Sequence, residues 1–185
     1  GKGLYSKGST YNMGQNMNDK LVCLQPFGEE HLEKTFVWVQ RVEFRKSFNF
    51  IKEVNWDDHV RWFDNLKNND TQKHFAIYNR ENNQHIGNCG LKYINKVKRN
   101  CEIWVYIGDA QNYCKGFGTS AASQLIYYAF YDLDMETLYL YVAKDNIAAR
   151  RLYGKLGFEE REMPSVSEWK SRDVPHSYME KARAA

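Results

Sequence analysis

Apolar and polar positions first fall into a regular pattern at Leu21. Leu21–Phe27 reads as a strand that stops near Pro26, and Glu29 to Arg41 reads as a helix with Leu32, Phe36 and Val39 near helical spacing. A loop is expected through Phe50. Asn55 supplies an N-cap for a second helix, Trp56 to Lys67, with Val60, Phe63 and Leu66 on one side. Three strands come next, His74–Asn79, Gln84–Ile94 and Asn100–Ile107. The polar turns Asn82-Asn83 and Lys96-Val97-Lys98 separate them, as in antiparallel hairpins. Gly87 and Gly90 interrupt the middle strand and are expected to mark a bulge.

The second half changes character. Gly116-Phe117-Gly118 leads into a helix with Ala121, Ala122, Leu125, Ile126, Ala129 and Phe130 on one face. Thr137–Val142 then alternates strictly, with Leu138, Leu140 and Val142 opposite Tyr139 and Tyr141. A further helix, Ala148–Leu156, ends at Gly157, which suits the left-handed position after a helix. Phe158–Met163 starts another strand, and a last one is expected around His176–Glu180. Two helices, an antiparallel meander and then alternating strands and helices give a mixed α/β fold. No repeat or low-complexity linker divides the chain, so residues 17–185 are expected to form a single domain. Residues 1–16 are small, polar and aperiodic; they read as a disordered leader or an expression remnant, with Met17 as a plausible native start.

Composition narrows the function classes. Of 185 residues, 43% are hydrophobic and 26% charged, which is ordinary for a globular chain with one core. The aromatic share of 15% is high, so rings should line a cleft or a half-exposed sheet face. The formal net charge is +3, and Lys2 and Lys7 lie in the acid-free first sixteen residues. The nearly neutral remainder argues against nucleic acid as the main partner. Cys23, Cys89, Cys101 and Cys114 form no C-x-x-C pair, and no His stands at a ligand spacing from them, so no metal is expected. They read as free thiols in a reducing compartment. No apolar run reaches the ~18–20 residues of a membrane span. The expected location is cytoplasmic, with no membrane partner.

Two segments carry candidate chemistry. In Tyr113-Cys114-Lys115-Gly116-Phe117-Gly118-Thr119 a glycine pair follows a strand and opens a helix. Such a loop is either a tight turn or an anion cradle, because helix N-terminal N–H groups face outward there. In the run from Val142 to Phe158 a strand ends in Asp145-Asn146, which can cap the next helix, and Tyr153 follows about two turns later. Taken singly, Tyr153 reads as a packing residue or as a functional phenol.

Together the two segments resemble the Gcn5-related N-acetyltransferase (GNAT) family. That family's pyrophosphate loop has the form Gln/Arg-x-x-Gly-x-Gly/Ala. Its later segment, Asn-x-x-Ala-x-x-x-Tyr-x-Lys-x-Gly-Phe, is matched here at Asn146, Ala149, Tyr153, Lys155, Gly157 and Phe158. Tyr113 stands at the usual Gln/Arg position, and Cys114 replaces a common glycine, so the first turn of the loop is expected to differ. The resemblance covers roughly residues 20–180. It implies a GNAT fold, with a mixed sheet of about seven strands flanked by about four helices. It also implies transfer of acetyl from acetyl-CoA to a primary amine by direct attack in a ternary complex, without a metal. Val105, Tyr106 and Ile107 would offer backbone groups to the pantetheine arm. Lys115, Gly116, Phe117, Gly118 and Thr119 would offer N–H groups to the pyrophosphate. Asn146, Ala149, Tyr153 and Lys155 would complete the acetyl-CoA site.

An amine attacks a thioester only as the free base, so a base or a water relay must take its proton. Relatives often place a glutamate at the position of Glu102, which reads either as that base or as a strand glutamate in an ion pair. Tyr153 would give a proton to the departing thiolate; its ordinary pKa near ~10 keeps it protonated at neutral pH. For the acceptor, Trp38 to Lys46 and His59-Val60-Arg61-Trp62-Phe63 resemble segments of the ribosomal-protein and amino-sugar acetyltransferase branches. In that branch a nucleotide-linked amino sugar is a reasonable acceptor. Trp38, Phe44, Phe48, Phe50 and Trp62 would stack on a sugar or base, and Arg41 and Arg45 would meet phosphates; alternatively the rings are core and the arginines solvated. A protein α-amine, an aminoglycoside or a polyamine fits the same frame, although the basic 41–52 segment is unlike a polyamine site. The expected partner is thus a small-molecule amine, with a homodimer left open. A non-catalytic acyl-CoA-binding module is the alternative of another class.

Overall fold

The computed structural model describes residues 20–47, 52–165, 167 and 174–185. Phe48, Phe50 and residues 1–16, which figured in the sequence reading, lie outside them. Strand β1 (Val22–Pro26) is followed by a 3-10 turn (Glu29–His31), α1 (Leu32–Val39), α2 (Val42–Ser47) and α3 (Trp56–Leu66). The meander is β2 (Lys73–Asn79), β3 (Gln84–Asn95) and β4 (Asn100–Ile107). Then come α4 (Phe117–Tyr127), which runs on into a π-helical turn (Tyr128–Asp132), β5 (Thr137–Ala143), α5 (Ile147–Lys155), β6 (Glu159–Arg161) and β7 (His176–Ala182).

The described residues thus form a seven-stranded sheet in the order β1-β2-β3-β4-β5-β7-β6, flanked by five α-helices rather than four. The unexpected helix is α2, in the segment expected to be a loop. Asn55 caps α3 as anticipated, its side-chain oxygen accepting from Asp58 N at 2.8 Å. The bulge falls where the register of β2 on β3 jumps from Ile77↔Gly87 to Tyr78↔His85, so Ile86 is the extra residue, next to Gly87.

Strand alternation sorts the sheet into two faces. One carries Phe75, Ile77, Cys89, Leu91, Cys101, Ile103, Leu138 and Leu140, buried with Ala121 and Leu125 of α4 and Tyr153 of α5. The other carries His74, Asn88, Lys92, Glu102, Trp104 and Tyr106, which the register β2–β3–β4 aligns. Helices α1 to α3 cover this second face: Thr35 is bonded to Asn88, Phe44 packs edge-on against Tyr106, and Trp62 meets His74.

Strands β4 and β5 are parallel, but they pair only over Asn100↔Thr137, Cys101↔Leu138 and Glu102↔Tyr139. Beyond Glu102 they part, whereas β5 stays paired with β7 over its whole length. The gap leaves the β5-side edge of residues 103–107 without a strand partner and opens a passage from one face of the sheet to the other.

Candidate active site

A cavity of about 330 Å³ fills the gap between β4 and β5. From the α4–α5 side it is lined by Ile103, Val105, Ile107, Leu140, Val142, Asn146, Ala149 and Tyr153, and from the opposite side by Lys92, Glu102, Trp104, Tyr106 and Phe44. A second cavity, of about 460 Å³, adjoins it under α1–α3 and shares Phe44, Lys92, Trp104 and Tyr106. Its remaining walls include Phe27, His59, Trp62 and His74.

Of the residues expected to hold acetyl-CoA, Val105, Tyr106, Ile107, Tyr113, Asn146, Ala149 and Tyr153 line the passage, whereas Cys114 to Thr119 and Lys155 do not. Asn146 caps α5, its side-chain oxygen accepting from Ala149 N at 3.1 Å, and both residues face the passage. Tyr153 lies two turns into α5 and is 8% exposed, edge-on to Phe158. Burial, with Cys89 nearby, pushes its phenol above the ordinary tyrosine range, so it keeps its proton at all working pH values. Lys155 departs from expectation. It sits at the exposed C-terminal end of α5, about 13 Å along the axis from Asn146, and does not line the passage.

The loop before α4 leads from the rim of the passage to the helix N-terminus. Tyr113 is half exposed and lines the passage. Gly116 caps α4 with φ +83°, and the first helical bond runs from Ser120 N to Gly116 O. The N–H groups of Phe117, Gly118 and Thr119 therefore have no intrahelical acceptor, which suits an anion. The Phe117 ring is buried in the core, so only its backbone is available. Cys114 adopts φ +59°, the left-handed conformation that favours glycine. A β-carbon there costs about 1–2 kcal/mol. Cys114→Gly is expected to raise stability by up to about 1 kcal/mol once the glycine's own chain entropy is deducted, as read from urea denaturation midpoints.

On the opposite side Glu102 is 4% exposed and lies 3.3 Å from Lys92 Nζ through its Oε2. Of the two anticipated readings of Glu102 the ion pair is present, and the same carboxylate lines the passage. Among the anticipated acceptor residues, Trp62 faces the second cavity, stacked on His59 at 5.4 Å. Arg41 stands at the rim, donating to Gly108 O and to Asp109 Oδ1. Two residues are placed elsewhere. Trp38 is 1% exposed and packs between His85 and Tyr106, so it is core rather than a stacking surface. Arg45 is buried with Nη1 donating to Gln40 O, so it faces its own helix–turn segment rather than a phosphate.

The sequence reading missed Lys92 and the polar group that fixes Tyr106. Asn88 donates to Thr35 Oγ1 at 2.9 Å and to the Tyr106 hydroxyl at 2.5 Å, and its oxygen accepts from His85 Nε2 at 2.8 Å. The one available signal was the alternation Asn88, Gly90, Lys92 in β3, on the same face as Glu102 and Trp104. A β-carbon on Gly90 would lie 2.6 Å from the Trp104 ring, so that position leaves room for the indole.

Burial lowers the pKa of His74 to about 4, with Lys92 adding to the effect, and lowers that of His85 to about 4 despite its bond to Asn88. Both are neutral in the folded chain near pH 7, and both take up a proton on unfolding below the unfolded value near ~6.5. Their contribution is therefore fully present above pH ~6.5 and lost as pH falls toward 4. These two histidines should together contribute roughly 2–3 kcal/mol per pH unit to the loss of stability near pH 5.5, and His74→Gln should remove about half of that contribution in denaturation curves.

The sheet with its parted strands, the loop before α4 and the passage define an acyl-CoA transferase frame, and comparison with known proteins agrees. Residues 22–159 match the acetyltransferase (GNAT) domain family, so the chain belongs to that family and is an acetyl-CoA-dependent N-acetyltransferase. Among curated relatives it is 29% identical over 134 residues to acetyltransferase PseH of Campylobacter jejuni, covering 72% of this chain and 80% of the relative. The fold matches the crystal structure of spermidine N-acetyltransferase from Vibrio cholerae in complex with CoA and spermine, with TM-score 0.79, 19% identity, 88% of this chain and 95% of that one. It also matches a domain from Methanocaldococcus jannaschii, with TM-score 0.72, 19% identity and 88% and 98% coverage. No helix among the described residues is long and apolar enough to cross a membrane.

Proposed function

We propose that the chain acetylates an amino sugar, nucleotide-linked in the favoured case, by direct attack across the passage between β4 and β5. The carrying observation is that this passage joins the side bearing Tyr153 and Asn146 to a ring-walled cavity on the opposite face. Acetyl-CoA would lie along the unpaired edge of Val105, Tyr106 and Ile107, with its pyrophosphate at the N-terminus of α4. The acceptor would enter from the second cavity, where Trp62 and Trp104 offer flat apolar surfaces for a sugar or base. Glu102 accepts the amine proton, directly or through water, and Tyr153 donates a hydrogen bond to the sulfur as the C–S bond breaks.

The fold shared with spermidine N-acetyltransferase favours a polyamine as the second reading. A panel of nucleotide-linked and free amino sugars, polyamines, aminoglycosides and peptides, scored by thiol release from acetyl-CoA, tests both. A nucleotide-linked amino sugar should give the highest kcat/KM; a polyamine at the top would overturn the reading. Acetyl-CoA binding with no thiol release for any amine would point to a binding module instead.

A further inference from the structure

We propose that Lys92 sets acceptor specificity: its ammonium occupies the buried carboxylate of the passage, so the site refuses polycations and takes amines whose other groups are neutral or anionic. This rests on the acceptor reading above. Among the described residues Glu102 is the only buried carboxylate. Its strand partner in the β3–β4 register is Lys92, on the same face. The two side chains are 3.3 Å apart, with the glutamate 5% and the lysine 31% exposed. An acceptor therefore meets the lysine before it meets the acid. Lys92 also lines both cavities, at the junction where the amine must pass from one to the other.

The other charged groups of the walls do not restore an acidic site. Asp58 is paired with Arg61 at 3.0 Å. Glu43 is at the exposed rim, which it shares with Arg41. His59 and His74 are held neutral by burial. A mono-amine gains from this arrangement, because a fixed positive charge lowers the pKa of a nearby ammonium and favours the reactive free base. A polyamine loses, because its remaining ammonium groups sit in a low-dielectric passage whose buried carboxylate is already taken up by Lys92. The shared fold with spermidine N-acetyltransferase thus leaves the choice of acceptor to side chains such as this one.

Lys92→Met is the test, with acetyl-CoA affinity as the control for an intact donor side and calorimetric spermidine binding as a readout independent of turnover. The ratio of kcat/KM for spermidine to that for a nucleotide-linked amino sugar should rise about ten-fold or more, and spermidine should bind more tightly. Lys92→Arg should keep the wild-type ratio. Should the Met variant not bind acetyl-CoA, Lys92→Gln carries the same expectation. An unchanged ratio and unchanged spermidine affinity in a variant that binds acetyl-CoA normally would overturn the role of Lys92 while leaving the acceptor reading standing. A wild-type enzyme that prefers spermidine would overturn the acceptor reading itself.

Discussion

Tyr153→Phe should lower kcat by about 10²-fold or more while acetyl-CoA affinity and thermal stability stay at the wild-type level. The phenol sits on α5 at the wall of the passage, and its ring belongs to the core cluster. Phenylalanine keeps that packing, so the variant removes the hydroxyl and little else. Burial raises the phenol above its ordinary ~10, while a free thiol lies near ~8.5. Full proton transfer to a finished thiolate is therefore uphill. In the proposed mechanism the effect comes from the hydrogen bond that strengthens as negative charge grows on sulfur. Two readouts accompany this role. The kcat profile should show no alkaline limb from Tyr153 below pH ~10. Loss of kcat and kcat/KM should be equal, since the bond is made in the transition state. Unchanged turnover would remove Tyr153 from the chemistry.

The meander was legible because each strand is bounded by local turn chemistry, Asn82-Asn83 and Lys96-Val97-Lys98, and needs no distant partner to be recognised. The helix α5 and its cap were legible for the same reason, since Asn146 and Ala149 are three residues apart. Helix α2 was not. Val42–Ser47 is short, and an isolated helix of that length does not hold in water. The contact of Phe44 with Tyr106 at 4.5 Å holds it against the sheet, across sixty residues of chain. The order of β7 between β5 and β6 is likewise a matter of distant pairing. At the site the same division holds. The side proposed for acetyl-CoA draws on three continuous segments, residues 105–107, 113–119 and 146–155, each of which can be followed along the chain. The second cavity gathers Phe27, His59, His74, Lys92 and Trp104 from five elements or loops, and no short spacing announces it. Burial is the other hidden quantity: Trp38 and Trp62 look alike in the sequence, yet one is 1% and the other 37% exposed.

Trp38→Ala should cost about 3–5 kcal/mol of stability, a fall in melting temperature of roughly 6–20 °C for a chain of this size. The indole fills the space over Gly108, where a β-carbon would lie 1.9 Å from the ring. It is flanked by His85 at 4.9 Å and Tyr106 at 6.1 Å, with Lys34 Nζ 5.8 Å from its centroid. Removing it leaves a void between α1 and the end of β4 that these neighbours, tied by the Asn88 bonds, cannot close. If the ring instead stacked on the acceptor, alanine would raise the acceptor KM and leave the melting temperature alone. Trp62→Ala supplies the opposite case: that ring is 37% exposed on the wall of the second cavity, so its loss should raise acceptor KM with a small effect on melting. Melting curves and acceptor kinetics on the two variants, measured side by side, assign one tryptophan to the core and the other to the cleft. A Trp38 variant that melts like the wild type would return that residue to the acceptor side.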